Sequence, residues 1–212
     1  MLIVTLWFLV QTAKKNLKII IKRMLNLVLF GPPGAGKGTQ SAKLIEKYQL
    51  SHISTGDLFR MHISNDTELG KRVKQIMADG ILVPDSITIE MLEEEVQKNP
   101  TAKGFIFDGF PRTVAQAEAL DAFLEGKGEK INGVVQLDVT QEEIKHRIAE
   151  RQKVSGRADD GADKLLTRID EYFSKTIHVL PYYEAQNKVT KVNGIGNIEE
   201  IFTNVCTAID AL

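Results

Sequence analysis

The chain has 212 residues, a formal net charge of −1, 43% hydrophobic and 26% charged residues, and one cysteine. That length suits a single domain able to bury a sizeable core, and the near-zero charge excludes a whole-molecule field drawing it onto nucleic acid or an anionic membrane. Lone Cys206 excludes an internal disulfide and a multi-cysteine metal site, a usage that suits a reducing cytoplasm.

The first ten residues, MLIVTLWFLV, are almost wholly apolar and are followed by Lys14, Lys15, Lys18, Lys22 and Arg23. A membrane-spanning helix needs about 20 apolar residues, and a secretory signal carries its positive charge ahead of the apolar run rather than behind it. A membrane-surface anchor, an extra packed element and translation read from too far upstream are the remaining readings. Met24 directly before the first convincing strand favours the last, so residues 1–24 are expected outside the core fold.

From Leu25 onward, short apolar runs alternate with helical patterns, the rhythm of βα units on a parallel sheet. Strands are predicted at 25–30, 52–54, 105–107, 134–139 and 189–192. Helices are predicted at 37–48, 56–63, 69–78, 85–98, 113–124, 141–151, 163–183 and 198–211. Thr140-Gln-Glu-Glu143 reads as a capping box opening the sixth helix. The segment 54–83 interrupts the rhythm with helices alone and reads as an inserted subdomain.

The first strand runs into Gly31-Pro-Pro-Gly34-Ala35-Gly36-Lys37-Gly38-Thr39. This matches the phosphate loop, Gly-x4-Gly-Lys-[Ser/Thr], with Gly38 interposed before Thr39. Glycines let backbone N–H groups turn inward around phosphate oxygens, the following helix adds its positive end, and Lys37 can reach the β- and γ-phosphates. An ordinary strand-to-helix glycine turn would not need the lysine.

The third strand delivers Asp108 to its C-terminal end, where ligands bind in open parallel sheets, and Gly109-Phe110-Pro111-Arg112 follows in a tight turn. A carboxylate beside a triphosphate holds Mg²⁺ directly or through its waters, and an arginine there can fork onto a phosphate. The bland alternative is Asp108 as a helix cap. Downstream, Arg147 and Arg151 are four residues apart and share a helix face, Arg157 follows a Ser-Gly turn, and Arg168 sits on the next helix. Any one could be a solvated surface residue. Clustered in a chain without net positive charge, they suit an anion whose transferring phosphoryl group needs positioned cations.

Taken together, the phosphate loop, Ile53-Ser-Thr-Gly-Asp-Leu58, Asp108-Gly-Phe-Pro-Arg-Thr113 and Ser155-Gly-Arg-Ala-Asp-Asp160 resemble the adenylate kinase family over essentially all of 25–212. The resemblance implies an α/β P-loop NTPase fold: a five-stranded parallel sheet flanked by helices, a small nucleotide-binding insertion at 54–83 and a lid at 151–161. It also implies reversible phosphoryl transfer from Mg·ATP to AMP, giving two ADP, by a cytoplasmic monomer. By resemblance, Gly34 through Thr39, Arg151 and Gly196 bind ATP. Thr55, Arg60, Ile81, Leu82, Val83, Gly109, Phe110, Pro111, Arg112 and Gln116 surround AMP, with Arg157 and Arg168 on the phosphates near it. Gln116 carries both a donor and an acceptor, as the N1 and amino group of adenine require.

Long-lid members carry a sizeable insertion, sometimes with zinc on cysteines, between the positions of Arg151 and Arg157. Here only Gln152 to Gly156 intervenes, so a short lid without zinc is expected, with Asp159 and Asp160 at its rear hinge. The nearest rival is UMP/CMP kinase, whose members tend to have Ala where Thr55 stands and Asn where Thr113 stands. A non-catalytic ATP-binding regulator is opposed by the intact Lys37, Asp108 and arginine set, and a GTPase by the absence of an Asn-Lys-x-Asp guanine reader.

Overall fold

The structure, a computed structural model, describes residues 24–152 and 162–212. The expectations for 1–23, and for Arg157 and the hinge aspartates, fall outside the described residues.

Five strands, β1 (Leu27–Phe30), β2 (Ser51–Ser54), β3 (Phe105–Asp108), β4 (Gly133–Asp138) and β5 (Val189–Asn193), form one parallel sheet in the order β2-β3-β1-β4-β5. The central strand β1 is apolar throughout, and β3 is apolar up to Asp108, because both faces are covered. Alternation sends Val28, Phe30, Phe105 and Phe107 into one core layer and Leu27, Leu29 and Ile106 into the other. On the first face lie α4 (Asp85–Gln97), α5 (Val114–Glu125), α7 (Ala162–Ser174) and α8 (Val179–Glu184). The second is covered by α1 (Lys37–Tyr48) and α9 (Ile198–Asp210), through Leu44 and the Ile201, Val205, Ile209 stripe. Fully burying one such Leu, Ile or Phe stabilises by about 1.5–3 kcal/mol.

Between β2 and α4 stand α2 (Thr55–Ser64) and α3 (Glu68–Ala78), capped by the side chains of Ser54 and Thr67. Phe59, Val73, Val83 and Met91 give this region a small apolar cluster of its own, with Met91 on α4 tying it to the main body. After β4, α6 (Gln141–Gln152) packs Ile144 and Ile148 against Leu165 of α7.

The structure departs from the predicted elements in two places beyond shifts of a residue or two at element ends. The helix expected over 163–183 is broken: Lys175 leaves helical geometry (φ −125°), a 3-10 turn spans Thr176–His178, and α8 restarts at Val179. In a continuous helix the ring of Pro181 would strike the carbonyl of Ile177. In the first turn of a new helix its missing N–H costs nothing. The capping box at Thr140 is half made: its hydroxyl accepts from the Glu143 N–H at 3.3 Å, but the Glu143 carboxylate accepts from Arg147 Nε at 2.7 Å. The guanidinium is the stronger donor, so it takes the carboxylate away from the cap.

Asn26, fully buried before β1, staples the sheet. Its amide donates to the Lys130 carbonyl (3.0 Å), its Oδ1 accepts from the Phe105 N–H (3.2 Å), and its own N–H donates to Asn132 Oδ1 (2.7 Å). Asn26→Leu should therefore lower stability by about 1–3 kcal/mol, since it removes two side-chain hydrogen bonds and puts apolar bulk in their place. Urea denaturation checks this; a midpoint unchanged from wild type contradicts the staple.

Candidate active site

β1 and β3 are hydrogen-bonded neighbours, Leu29 opposite Asp108, yet the helices that follow them cover opposite faces of the sheet. A crevice necessarily opens between the two departing loops. It is a cleft of about 900 Å³, at the upper end of ordinary ligand sites.

The β1 loop forms one wall. Gly34 (φ +84°) takes a left-handed conformation, and a Cβ there would stand 2.9 Å from Ile148 Cγ1. Gly36 (φ +95°) is the residue before α1, and no side chain caps that helix and no acidic residue stands in its first turn. The first N–H groups of α1, around Lys37, Gly38 and Thr39, thus meet the cleft at the positive end of the helix. Lys37 Nζ donates to the carbonyls of Gly31 (2.8 Å) and Pro32 (3.1 Å). Desolvation of this ammonium lowers the pKa of Lys37 to about 8; Asp108 opposes the shift, while Arg112, Arg168 and Arg151 add to it.

Asp108 lies at the end of β3 with His52 Nε2 3.7 Å from Oδ2. Burial alone would raise its carboxyl, but His52, Lys37 and Arg112 outweigh that and hold it below the usual carboxylate range. Arg112 Nε donates to the Gly109 carbonyl at 2.7 Å, and the same carbonyl accepts from the Thr55 hydroxyl at 2.9 Å. Arg60 pairs with Asp57 at 2.6 Å one helical turn away. Gln116, 2% exposed, accepts at Oε1 from the Arg112 N–H (2.8 Å) and donates from Nε2 to Asp85 Oδ1 (2.7 Å).

The cleft gathers Gly34, Gly36 to Thr39, Asp108, Gly109, Arg112 and Gln116 from the sequence-predicted set. Thr55 and Arg60 reach it from α2, Ile81 to Val83 from the segment between α3 and α4, and Arg147, Arg151 and Arg168 from α6 and α7. Four predicted residues stand elsewhere. Ala35 (2% exposed) and Phe110 (1%) are packed in the two cores. Pro111 borders a small recess behind the cleft, and Gly196 lies in the loop after β5 without lining the cleft wall.

Arg147 does more than share a face with Arg151. Besides Glu143, it donates to the carbonyls of Ala35 (3.1 Å) and Gly194 (2.8 Å), bracketing the phosphate loop to the loop after β5. Lys164 joins Asp79 at 2.9 Å, linking the end of α3 to α7, the helix that carries Arg168. Sequence reasoning missed Thr88, Ile198, Asp85 and His52. Asp85 opens a helix after Pro84 and reads locally as a favourable charge at a helix start; only its contact with Gln116, 31 residues on, brings it to the site.

Among the described residues no group of three or more His, Cys, Asp or Glu gathers as a metal cage, and no helix is long and apolar enough to cross a membrane. The chemistry available is polyanion binding on a helix end and a lysine, with a carboxylate at its rim and arginines around it.

Comparison with known proteins agrees. The chain matches the family model described as Adenylate kinase over residues 29–188. It is 52% identical over 190 residues to the adenylate kinase of Flavobacterium psychrophilum, covering 89% of this chain and 100% of that one. To that of Phenylobacterium zucineum it is 49% identical over 187 residues, 88% of this chain and 96% of the relative. To that of Bacteroides fragilis it is 45% identical over 189 residues, 89% and 100%.

The depressed pKa of Lys37 has a measurable consequence. A bound polyanion favours the ammonium, so binding takes up a proton wherever the free lysine has lost it. The ratio of wild-type to Lys37→Met affinity for inorganic triphosphate, in which the ligand's own titration cancels, should be flat below about pH 8 and fall above it by up to about tenfold per pH unit. Calorimetry across pH 6.5–9.5 tests this. Lys37→Met should bind weakly throughout and lack the alkaline limb.

Proposed function

The chain belongs to the adenylate kinase family, and we infer from this that it transfers the γ-phosphoryl group of ATP reversibly to AMP, yielding two ADP. The observation that carries the reading is one cleft with two differently equipped parts. The phosphate loop and α1 line one part with N–H groups and Lys37; Gln116, Thr55 and the inserted helices line another with the polar and apolar groups a base requires. Asp108, Arg112 and Arg168 stand between.

In the proposed reaction a phosphate oxygen of AMP attacks the γ-phosphorus, the bond to the β–γ bridging oxygen breaks, and ADP leaves from each side. Little covalent work falls to the protein; it aligns the two nucleotides and stabilises charge on the transferring group. Lys37 and the start of α1 hold the ATP phosphates. Arg112 and Arg168 hold the phosphates near AMP, with Arg60 and Thr55 beside them, and Gln116 reads the adenine. Arg147 keeps the phosphate loop in register through its carbonyl contacts, while Arg151 and Arg157 bring cations from the lid. Gly196 gives its backbone to the adenine of ATP.

Mg²⁺ arriving with ATP would supply charge neutralisation on the nucleotide phosphates. Asp108 fits such an ion: it is held ionised at the cleft and offers the oxygen ligand a hard cation prefers, directly or through water. We propose no zinc, a monomeric state and a cytoplasmic location, consistent with the single buried Cys206. We also propose that residues 25–212 are the catalytic unit and that 1–24 lie outside it.

ADP formation from ATP with AMP, CMP and UMP as acceptors tests the reading, with AMP expected to be strongly preferred. Lys37→Met should keep its fold and lose about two to three orders of magnitude in kcat, as for removal of a preorganised charge-stabilising donor; wild-type turnover would sink the assignment. Withdrawing Mg²⁺ should abolish activity reversibly, while a zinc-selective chelator should change nothing. A chain beginning at Met24 should match the full chain in activity and melting temperature.

A further inference from the structure

Gln116 is held by a network that does not itself need a ligand. Thr113 Oγ1 donates to Asp85 Oδ2 at 2.8 Å, and Gln116 Nε2 donates to Asp85 Oδ1 at 2.7 Å. At the other end of the amide, Oε1 accepts from the Arg112 N–H at 2.8 Å. A carboxylate can only accept and a backbone N–H can only donate, so hydrogen-bond chemistry alone fixes which end of the amide lies where. Rotating it by half a turn would set Nε2 against the Arg112 N–H and Oε1 against the Asp85 carboxylate, both repulsive.

Each end keeps one unused capacity, a second N–H on Nε2 and a second lone pair on Oε1, and Gln116 forms part of the cleft wall. An amide free to turn over reads a purine with N1 as acceptor and a 6-amino donor as well as one with N1–H and a 6-oxo acceptor. A locked amide reads only one of the two. We propose that Asp85, through Gln116, is the positioning residue that makes the acceptor site select a 6-aminopurine over a 6-oxopurine nucleoside monophosphate. The proposal rests on the assignment of Gln116 to the acceptor base. Thr113 belongs to the same device, since its hydrogen bond fixes the second carboxylate oxygen.

The test compares kcat/KM for AMP and for IMP, with Mg·ATP as donor, in wild type, Asp85→Ala, Asp85→Asn and Gln116→Leu. In Asp85→Ala the preference for AMP over IMP should shrink about tenfold, the worth of roughly one hydrogen bond, while KM for ATP stays as in wild type. Asp85→Asn should keep most of the preference, because its Oδ1 can accept from Gln116 while its amide donates to the Thr113 oxygen. A purely structural role for Asp85 would lower activity on both acceptors alike and leave their ratio unchanged. An unchanged ratio in folded Asp85→Ala, with the ratio lost in Gln116→Leu, overturns the proposal and leaves the assignment of Gln116 intact. An Asn variant that behaves like the Ala variant overturns it too, since acceptance rather than charge is what the geometry requires. A wild-type ratio in Gln116→Leu means that the assignment beneath the proposal is wrong. Should Asp85→Ala not fold, Asp85→Ser replaces it and is judged by the same ratio.

Discussion

Side-by-side pairing of β1 and β3 is the constraint on which the site depends. Backbone hydrogen bonds hold Leu29 opposite Asp108, and this sets the distance between phosphate loop and carboxylate before any side chain is considered. Because the following helices leave for opposite faces, nothing fills the space between the two loops. The cleft is therefore a product of topology, and the chemistry is what the loop residues hang around it. Asn26 serves the same arrangement from the opposite end of the strands, tying β1 to the start of β3 and to the segment before β4.

Like charges then crowd the cleft. Lys37 is desolvated, and three arginines push its pKa further down while Asp108 alone among the named groups pulls it back. The mutual repulsion among these cations is a cost that an anion between them would relieve. A polyanion that enters gives these cations a common partner. Arg147 makes the arrangement stiff rather than merely positive, since its three hydrogen-bonding nitrogens are committed to Glu143 and to two loop carbonyls.

The cleft wall around Gln116 uses polar satisfaction in place of charge. Gln116 is nearly inaccessible and both ends of its amide are engaged, so its orientation is a property of the folded protein and not of the ligand. Thr55 and Thr113 act likewise. One fastens the Gly109 turn and the other caps α5 while gripping Asp85, so both are structural fasteners around the cleft.

The sequence by itself determined the features that are contiguous. Apolar runs at β1, β3 and β4 declare buried parallel strands, and the glycines and lysine from Gly31 to Lys37 declare a phosphate site because the chain there must bend its own N–H groups around an anion. Tertiary structure decided whatever depends on which distant group arrives. Pro181 breaks a helix that periodicity extends through it, and Arg147 claims the Glu143 carboxylate that local capping would keep. Ala35 and Phe110, motif members both, turn into the cores. Asp85 meets Gln116 only because α4 and α5 pack together on one face of the sheet. A motif specifies backbone geometry within a few residues, whereas the partner of a buried polar atom is chosen by the packing of whole elements.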